Sequence, residues 1–555
     1  MQQNLSTQTA RNNWYRDILI LFILINTLFC FMLGSRPLNV PDEARYTEIP
    51  LEMIATHDYI TPHLDGIKYF EKPALFYWMQ TSAIKILGNN NWAYRITTEL
   101  MAMLGCLFVY IGGRLLFDRR TGWLAAGVLA TNILYFAFAH VVTLDMTLSV
   151  FMTGTLLSFI VAMRYPPGKT RRYLMWCCYI FAALAVMTKG LVGIILPGFI
   201  VLVWMALFNE WRQLKSCYLI SGIVLFLLIV LPWHIAVQIK NPEFFYFYFI
   251  QQQFTRYLTN YAGRFKPFWF FIPIITIGLY PWICFLVQAI KFHLPQRWHE
   301  RKTYKEALFL LIWATTIFVF FSLSKSKLIP YILPTIPPLA LLIGHYFANV
   351  PAKDIGITRG FKILPFFTII MAIAFLIVFH FIKINQSALV ITSEALMVFV
   401  AISGSFLALW VYKKFNIIAA FSTQLIASVC FLLILTVIVP FIDMGSIAPL
   451  TQVLKPLLKP NDVVATYSFY YQDLPVYLHR QIMIVSWQNE LSFGIAHQDA
   501  HQWIIDAPTF WKLWSSPATF YMITTQHIYQ TRLIGQHEPL HLLAQTRHDV
   551  LLANH

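Results

Sequence analysis

The sequence predicts a polytopic α-helical membrane protein, with about thirteen spanning helices and a small C-terminal α/β domain. Three observations predict it. Hydrophobic residues make up 58% of the 555 positions and charged residues only 12%, against about 25% charged in a soluble domain. A mean hydropathy of +0.61 says the same, so lipid must solvate most of the chain. Apolar runs of spanning length recur up to Pro440 and then stop. Disorder, collagen and coiled coil are excluded by the same composition.

Taken in order, runs of about 20 mostly apolar residues lie near 17–34, 97–117, 122–141, 144–163, 173–188, 190–208 and 217–238. Others follow near 268–290, 307–324, 328–349, 362–382, 389–411 and 416–441. No small-residue cleavage signal follows the first run, which reads as a retained helix. Basic residues collect on alternate connections: Arg119-Arg120, Arg164 to Arg172, Arg212 with Lys215, Lys291 to Lys305, Lys353 to Lys362, and Lys413-Lys414. Arg11 and Arg16 join them. Basic loops mark the cytoplasmic side, so the N-terminus is expected inside and, with an odd number of spans, the C-terminus outside.

The net charge of +16 has two sources, these loops and a site for anions. Nucleic acid is not an expected partner, because no basic soluble face exists to bind it. The seven cysteines sit in or beside apolar stretches without zinc-type spacing, which argues against disulfides and cysteine metal sites.

The opposite side carries long connections, at about 35–96 and 239–267, and long loops are usually functional. Within the first, 44–56 and 74–87 have amphipathic spacing suited to short helices lying in the interface. These belong with a spanning domain of residues 1–441. Residues 442–555 form a separate soluble domain, with strands expected at Val463–Tyr467 and Ile482–Val485.

Candidate chemistry lies on that outer side. Asp42 and Glu43 stand directly after the first helix with Arg45 close behind, which suits acid/base work or anion binding. The competing reading is a capped interfacial helix. Glu71 lies between Lys68 and Lys72. Lys189 ends an apolar helix, where a cation is costly unless it snorkels or meets an anion. Arg45, Lys68, Lys72, Lys189, Arg256, Arg264, Lys325 and Lys327 all fall on a face that positive-inside statistics disfavour, which suggests phosphate. Asp145 is a second membrane-edge carboxylate, a catalytic candidate or a partner for one of the lysines. Prolines 330, 334, 337 and 338 break the first turns of the helix behind Lys327 and Tyr331.

Asp42-Glu43-x-Arg45-Tyr46, Tyr69-Phe70-Glu71-Lys72-Pro73, Met187-Thr188-Lys189-Gly190 and Lys327-x-x-x-Tyr331-x-x-Pro334-x-x-Pro337 occur in this order. Arg256 is followed by Lys266-Pro267-Phe268-Trp269 and Leu279-Tyr280-Pro281-Trp282. Together these motifs resemble the undecaprenyl-phosphate aminoarabinose transferases of lipid A modification, membrane glycosyltransferases of GT-C type. The resemblance runs from about residue 36 to 345 and is weak in the soluble domain, where Asp473–Leu478 and Glu490–Gly494 are the similar pieces. It implies a GT-C-like fold in the bacterial inner membrane with a periplasmic C-terminal domain. The implied partners are an undecaprenyl-phosphate sugar donor, a lipid A or related glycolipid acceptor, and membrane lipids.

Residue by residue, the resemblance puts Asp42 at the family's essential carboxylate. It puts Arg45, Tyr46, Tyr69, Lys72, Lys189, Arg256 and Tyr331 around the carrier phosphate. Lys327 joins that set, and Asp145 joins Asp42 as a catalytic candidate. Family members often hold a metal with the glutamate matching Glu71 and a histidine before the arginine. Here that stretch reads Gln251-Gln252-Gln253, leaving His57 and His63 as substitutes, and no cofactor is required. The reaction needs fixed cations for a phosphate leaving group. With an ionised phosphate acceptor Asp42 positions the reactants or pairs an aminosugar's ammonium; with a hydroxyl acceptor it is a general base. Other readings stay open: transfer of mannose, galacturonic acid or galactosamine to protein or glycolipid, and, outside enzymes, a lipid or solute transporter or a membrane scaffold.

Overall fold

The computed structural model describes residues 2–255, 265–352, 354–382, 387–442, 445–537 and 539–555. Its helices begin with α1 (Gln2–Cys30), α2 (Asp42–Thr56), α3 (Leu75–Leu87), α4 (Asn91–Leu116) and α5 (Arg119–Thr131). They continue with α6 (Ile133–Ala139), α7 (Leu144–Ala162), α8 (Lys169–Lys189), α9 (Val192–Phe208) and α10 (Leu219–Lys240). Next come α11 (Phe271–Gly278), α12 (Ile283–His293), α13 (Lys305–Leu323) and α14 (Ile336–Asn349). The last spanning candidates are α15 (Ile355–Ile382), α16 (Ala388–Lys414) and α17 (Ile417–Ile438). All thirteen expected runs coincide with a helix or a bent pair of helices.

The chain is a multi-pass membrane protein. Nine described helices are long and apolar enough to cross a bilayer, and eleven when two bent pairs each count as one span. The two expected runs outside that set are α8, charged at both ends, and α9, 17 residues long. One bend, of 68°, separates α5 from α6. Asn132 makes it: its side chain accepts from Tyr135 N at 2.9 Å and donates to Leu129 O at 2.6 Å, ending one helix and capping the next. The other bend, of 106°, falls at Leu279-Tyr280-Pro281-Trp282 between α11 and α12. As the prolines predict, residues 329–335 form a tight 3₁₀ turn before α14 begins.

Two compact units emerge from the contacts. The first holds residues 1–33, 95–234 and 249–442; the second holds 34–94, 235–248 and 443–555. In the first, helices close on one another through small residues, as membrane helices do. A Cβ on Gly344 of α14 would lie 2.5 Å from Ala125 N of α5. Asp17 on α1 accepts from Tyr110 at 2.7 Å, Arg114 at 3.0 Å and Arg119 at 2.6 Å, tying α1, α4 and α5 together.

The second unit contains a hairpin of β1 (His63–Leu64) and β2 (Ile67–Lys68) and a six-stranded mixed sheet. The sheet strands are β3 (Val463–Tyr467), β4 (Met483–Val485), β5 (Ile504–Ile505), β6 (Phe520–Thr525), β7 (His541–Gln545) and β8 (Asp549–Ala553). Their order is β5-β4-β3-β6-β8-β7, with the first four parallel. Val485, Phe510, Trp514, Phe520, Met522 and Leu552 are among its core residues.

The sequence reading assigns 35–96 to the spanning part, whereas the contacts group residues 34–94 with the sheet. The physical reason is a set of buried polar contacts. Tyr470 donates to Glu48 at 2.7 Å, Ile482 N to Asp65 at 3.0 Å, and Leu38 N to the Tyr477 hydroxyl at 2.8 Å. Short helices form where the amphipathic spacing places them, α2 and α3, and α2 buries Glu43, Arg45, Thr47 and Glu48 beside Ala44, Ile49 and Met53.

Candidate active site

The predicted site residues fall into two clusters, one in each unit. In the second unit α2 begins at Asp42, so Asp42 is a first-turn residue and Pro41, without a side-chain bond, stands at the cap position. The paired carboxylates read from the sequence separate in role. Glu43 is fully buried and receives both arms of Arg36, at 2.5 and 2.9 Å, and Asn39 N at 2.8 Å. Such a bidentate pair fixes the loop. Asp42 is half-exposed and touches Arg45 at 3.3 Å.

Arg45 is the centre of this cluster. It is buried, and its guanidinium meets Glu490 at 2.5 Å. Gln472 holds the other oxygen of Glu490 at 2.7 Å. Burial works against the charge on Arg45, but Tyr69, Glu490, Tyr46 and Asp42 raise its pKa well above the usual arginine value. Burial pushes Glu490 above the ordinary carboxylate range while Arg45 pulls against it. Tyr46 lies beside Phe76 and Tyr77. Burial holds the Tyr69 and Tyr77 phenols protonated. Among the described residues neither hydroxyl has a hydrogen-bond partner, nor does Arg45 Nε. Each such group costs about 1–3 kcal/mol if left unmet, so three beside one another suit a polar ligand. Lys72 Nζ donates to Glu71 O at 2.9 Å. Lys68, counted from the sequence among the cations, is instead neutralised by Glu243 at 3.0 Å.

In the first unit Asp145 sits in the first turn of α7, behind Thr143, whose hydroxyl accepts from Asp145 N at 2.9 Å. Thr143 is therefore the cap. Asp145 forms an ion pair with Lys189, the last residue of α8, and the Lys189 ammonium lies 4.4 Å from the Tyr331 ring centroid. That cation–π contact brings together Tyr331 and Lys189, two of the residues the resemblance names. Asp145 has a lysine partner here, the second of the two roles the sequence left open. Lys327 is buried and directs its ammonium at two backbone carbonyls, those of Lys266, at 2.9 Å, and Ser324. Arg256 lies outside the described residues.

Glu490 was absent from the expected site, although its segment was among the pieces of resemblance. A lone glutamate in a soluble domain gives no sign of the arginine it will meet. Among the described residues no group of three or more His, Cys, Asp or Glu is arranged to hold a metal.

Comparison with known proteins adds to this geometry. The family described as dolichyl-phosphate-mannose-protein mannosyltransferase matches residues 14–248, and the aminoarabinose transferase C-terminal domain matches residues 450–554. Undecaprenyl phosphate-α-4-amino-4-deoxy-L-arabinose arabinosyl transferase 1 of Proteus mirabilis is 31% identical over 400 residues, covering 71% of this chain and 70% of its own length. The chain belongs to this transferase family. Transferase 2 of the same organism is 32% identical, and the matched stretch spans 60% of either chain. In structure, the chain resembles ArnT from Cupriavidus metallidurans bound to undecaprenyl phosphate. The TM-score is 0.85 at 27% identity, covering 97% of this chain and 98% of that one. The apo form of ArnT gives 0.84.

Proposed function

We propose that this transferase moves 4-amino-4-deoxy-L-arabinose from undecaprenyl phosphate to a phosphate of lipid A or a related glycolipid, at the periplasmic face of the bacterial inner membrane. The observation that carries the reading is the likeness, over nearly the whole chain, to a protein crystallised with undecaprenyl phosphate. The buried Arg45 beside the Tyr69 and Tyr77 hydroxyls, unmet among the described residues, supports it independently.

In the reaction the bond between the sugar's anomeric carbon and the carrier phosphate breaks, and its electron pair leaves with undecaprenyl phosphate. An oxygen of the acceptor phosphate forms the new bond. That oxygen is already ionised, so Asp42 removes no proton; it orients the reactants or pairs the aminosugar's ammonium. Arg45 and Lys72 present fixed positive charge to phosphate as charge develops, which is most effective where water is excluded. Lys189, Lys327 and Arg256 keep the phosphate-binding role that the resemblance gives them. Asp145 holds Lys189 in place rather than touching substrate.

The test is mass spectrometry of lipid A from cells with and without the gene. A phosphate-linked aminoarabinose that disappears with the gene supports the reading; an unchanged spectrum refutes it. The match of residues 14–248 to the mannosyltransferase family favours one second reading, mannose transfer, and the same spectra would show a hexose in place of the aminopentose.

A further inference from the structure

A cavity of about 670 Å³ in the second unit opens beside the carboxyl ends of β4 and β5. Ligands of parallel α/β sheets bind at that end of the strands, and the volume is that of a small-molecule site. Its walls include Ser486, Trp487, Gln488, His501, Asp506 and Thr509. Ser486 N donates to Ile505 O at 2.9 Å, and Asp506 caps the helix Ala507–Trp514 by accepting from Thr509 N at 3.0 Å. Ser486 and Asn489 both adopt left-handed φ values, 54° and 29°, an uncommon conformation that clusters at ligand sites.

The lining sorts the ligand classes. It holds no lysine or arginine and one carboxylate, which disfavours phosphate. Four uncharged or acidic hydrogen-bonding side chains, Ser486, Gln488, Asp506 and Thr509, disfavour an acyl chain. A half-buried indole with amide, hydroxyl and carboxylate groups around it suits a sugar ring, which has an apolar face and a rim of hydroxyls. The same segment continues to Glu490, the partner of Arg45, and Trp487 packs on Tyr470, which donates to Glu48 of α2.

We propose that this cavity is a saccharide subsite that holds the sugar headgroup of the acceptor glycolipid. The proposal rests on the transferase reading for the word acceptor, but the sugar binding itself does not. Saturation-transfer NMR on the full chain in nanodiscs, with N,N′-diacetylchitobiose as probe and inorganic phosphate as competitor, reads binding without turnover. We expect ring-proton signals that phosphate does not displace and that fall about tenfold in Trp487→Ala and in Gln488→Ala. Trp487→Phe keeps the packing on Tyr470 and should retain most of the signal. Asp506→Asn keeps a helix cap and should weaken binding several-fold. In transfer assays the acceptor KM should rise about tenfold with donor KM unchanged.

Binding unaffected by both alanine variants, or displaced by phosphate, overturns the subsite. A rise in donor KM instead of acceptor KM overturns the acceptor assignment. If the protein transfers no aminoarabinose yet binds the disaccharide through Trp487, the subsite stands and the proposed reaction falls.

Discussion

Two buried ion clusters in this protein differ in one respect that separates structure from function. Around Asp17 both carboxylate oxygens are met: Tyr110, Arg114 and Arg119 Nε donate to Oδ2, and the other arm of Arg119 donates to Oδ1. Around Arg45 the accounting stays open: among the described residues nothing bonds to Arg45 Nε or to the buried Tyr69 and Tyr77 hydroxyls. Each buries a charge, the Asp17 carboxylate in one and the Arg45 guanidinium in the other, although Arg119 itself is exposed, and a buried charge is favourable only when its partners are complete. The closed cluster is complete without a ligand and acts as a clasp. The open one is complete only with something more, and a phosphate or sugar oxygen would supply it.

The sharpest way to break this comparison is Asp42→Asn. Transfer should fall by at least ~100-fold, the scale of a misplaced reacting group, while thermal unfolding of the purified protein stays as in wild type. Wild-type-like turnover would remove Asp42 from the site. Asp17→Ala should do the reverse. Arg119 is exposed and can turn to water, but Tyr110 and Arg114 lose a buried partner, which should cost about 1–3 kcal/mol of stability, seen as a lower unfolding temperature, with turnover per folded molecule unchanged.

Lys72→Ala and Lys189→Ala sharpen the assignment of the cations. A charge-assisted contact to phosphate is worth about 1.5–3 kcal/mol, so each should lower donor binding or turnover by roughly 10- to 100-fold. Arginine at either position should rescue only in part, since its planar fork does not replace a compact ammonium. Lys413→Ala, at the end of α16, should leave turnover unchanged.

A smaller effect tests the frame that holds the open cluster. Burial pushes the Asp473 carboxyl from its ordinary 3.8 up to about 7, against the bonds from Ser446 and Ile447 N. A carboxyl raised by folding binds its proton more tightly in the native state. Its contribution to stability is therefore full below pH ~4 and lost as the pH rises through about 7. Asp473→Asn should flatten that part of the profile, measured as unfolding temperature between pH 4 and 8. An equally steep profile in the variant would assign the titration elsewhere.

The sequence by itself determined the membrane class and the thirteen helical runs. Both follow from local composition, since apolar length sets a span. The hairpin at Asp65-Gly66 went unread in the sequence, although Asp-Gly favours the left-handed φ, here 51° and 75°, of a two-residue turn. Tertiary structure alone decided how the charges pair. Asp42 and Glu43 are neighbours of one chemical type, yet Glu43 is consumed by Arg36 while Asp42 stays half-exposed beside Arg45. Lys68 and Lys72 are equally alike, and Glu243, 175 residues from Lys68, neutralises that one. Glu490 reaches Arg45 across some 445 residues. Apolar periodicity is written along the chain, but the partner of a buried charge is set by which distant segments share a low-dielectric interior, and only the fold brings those together.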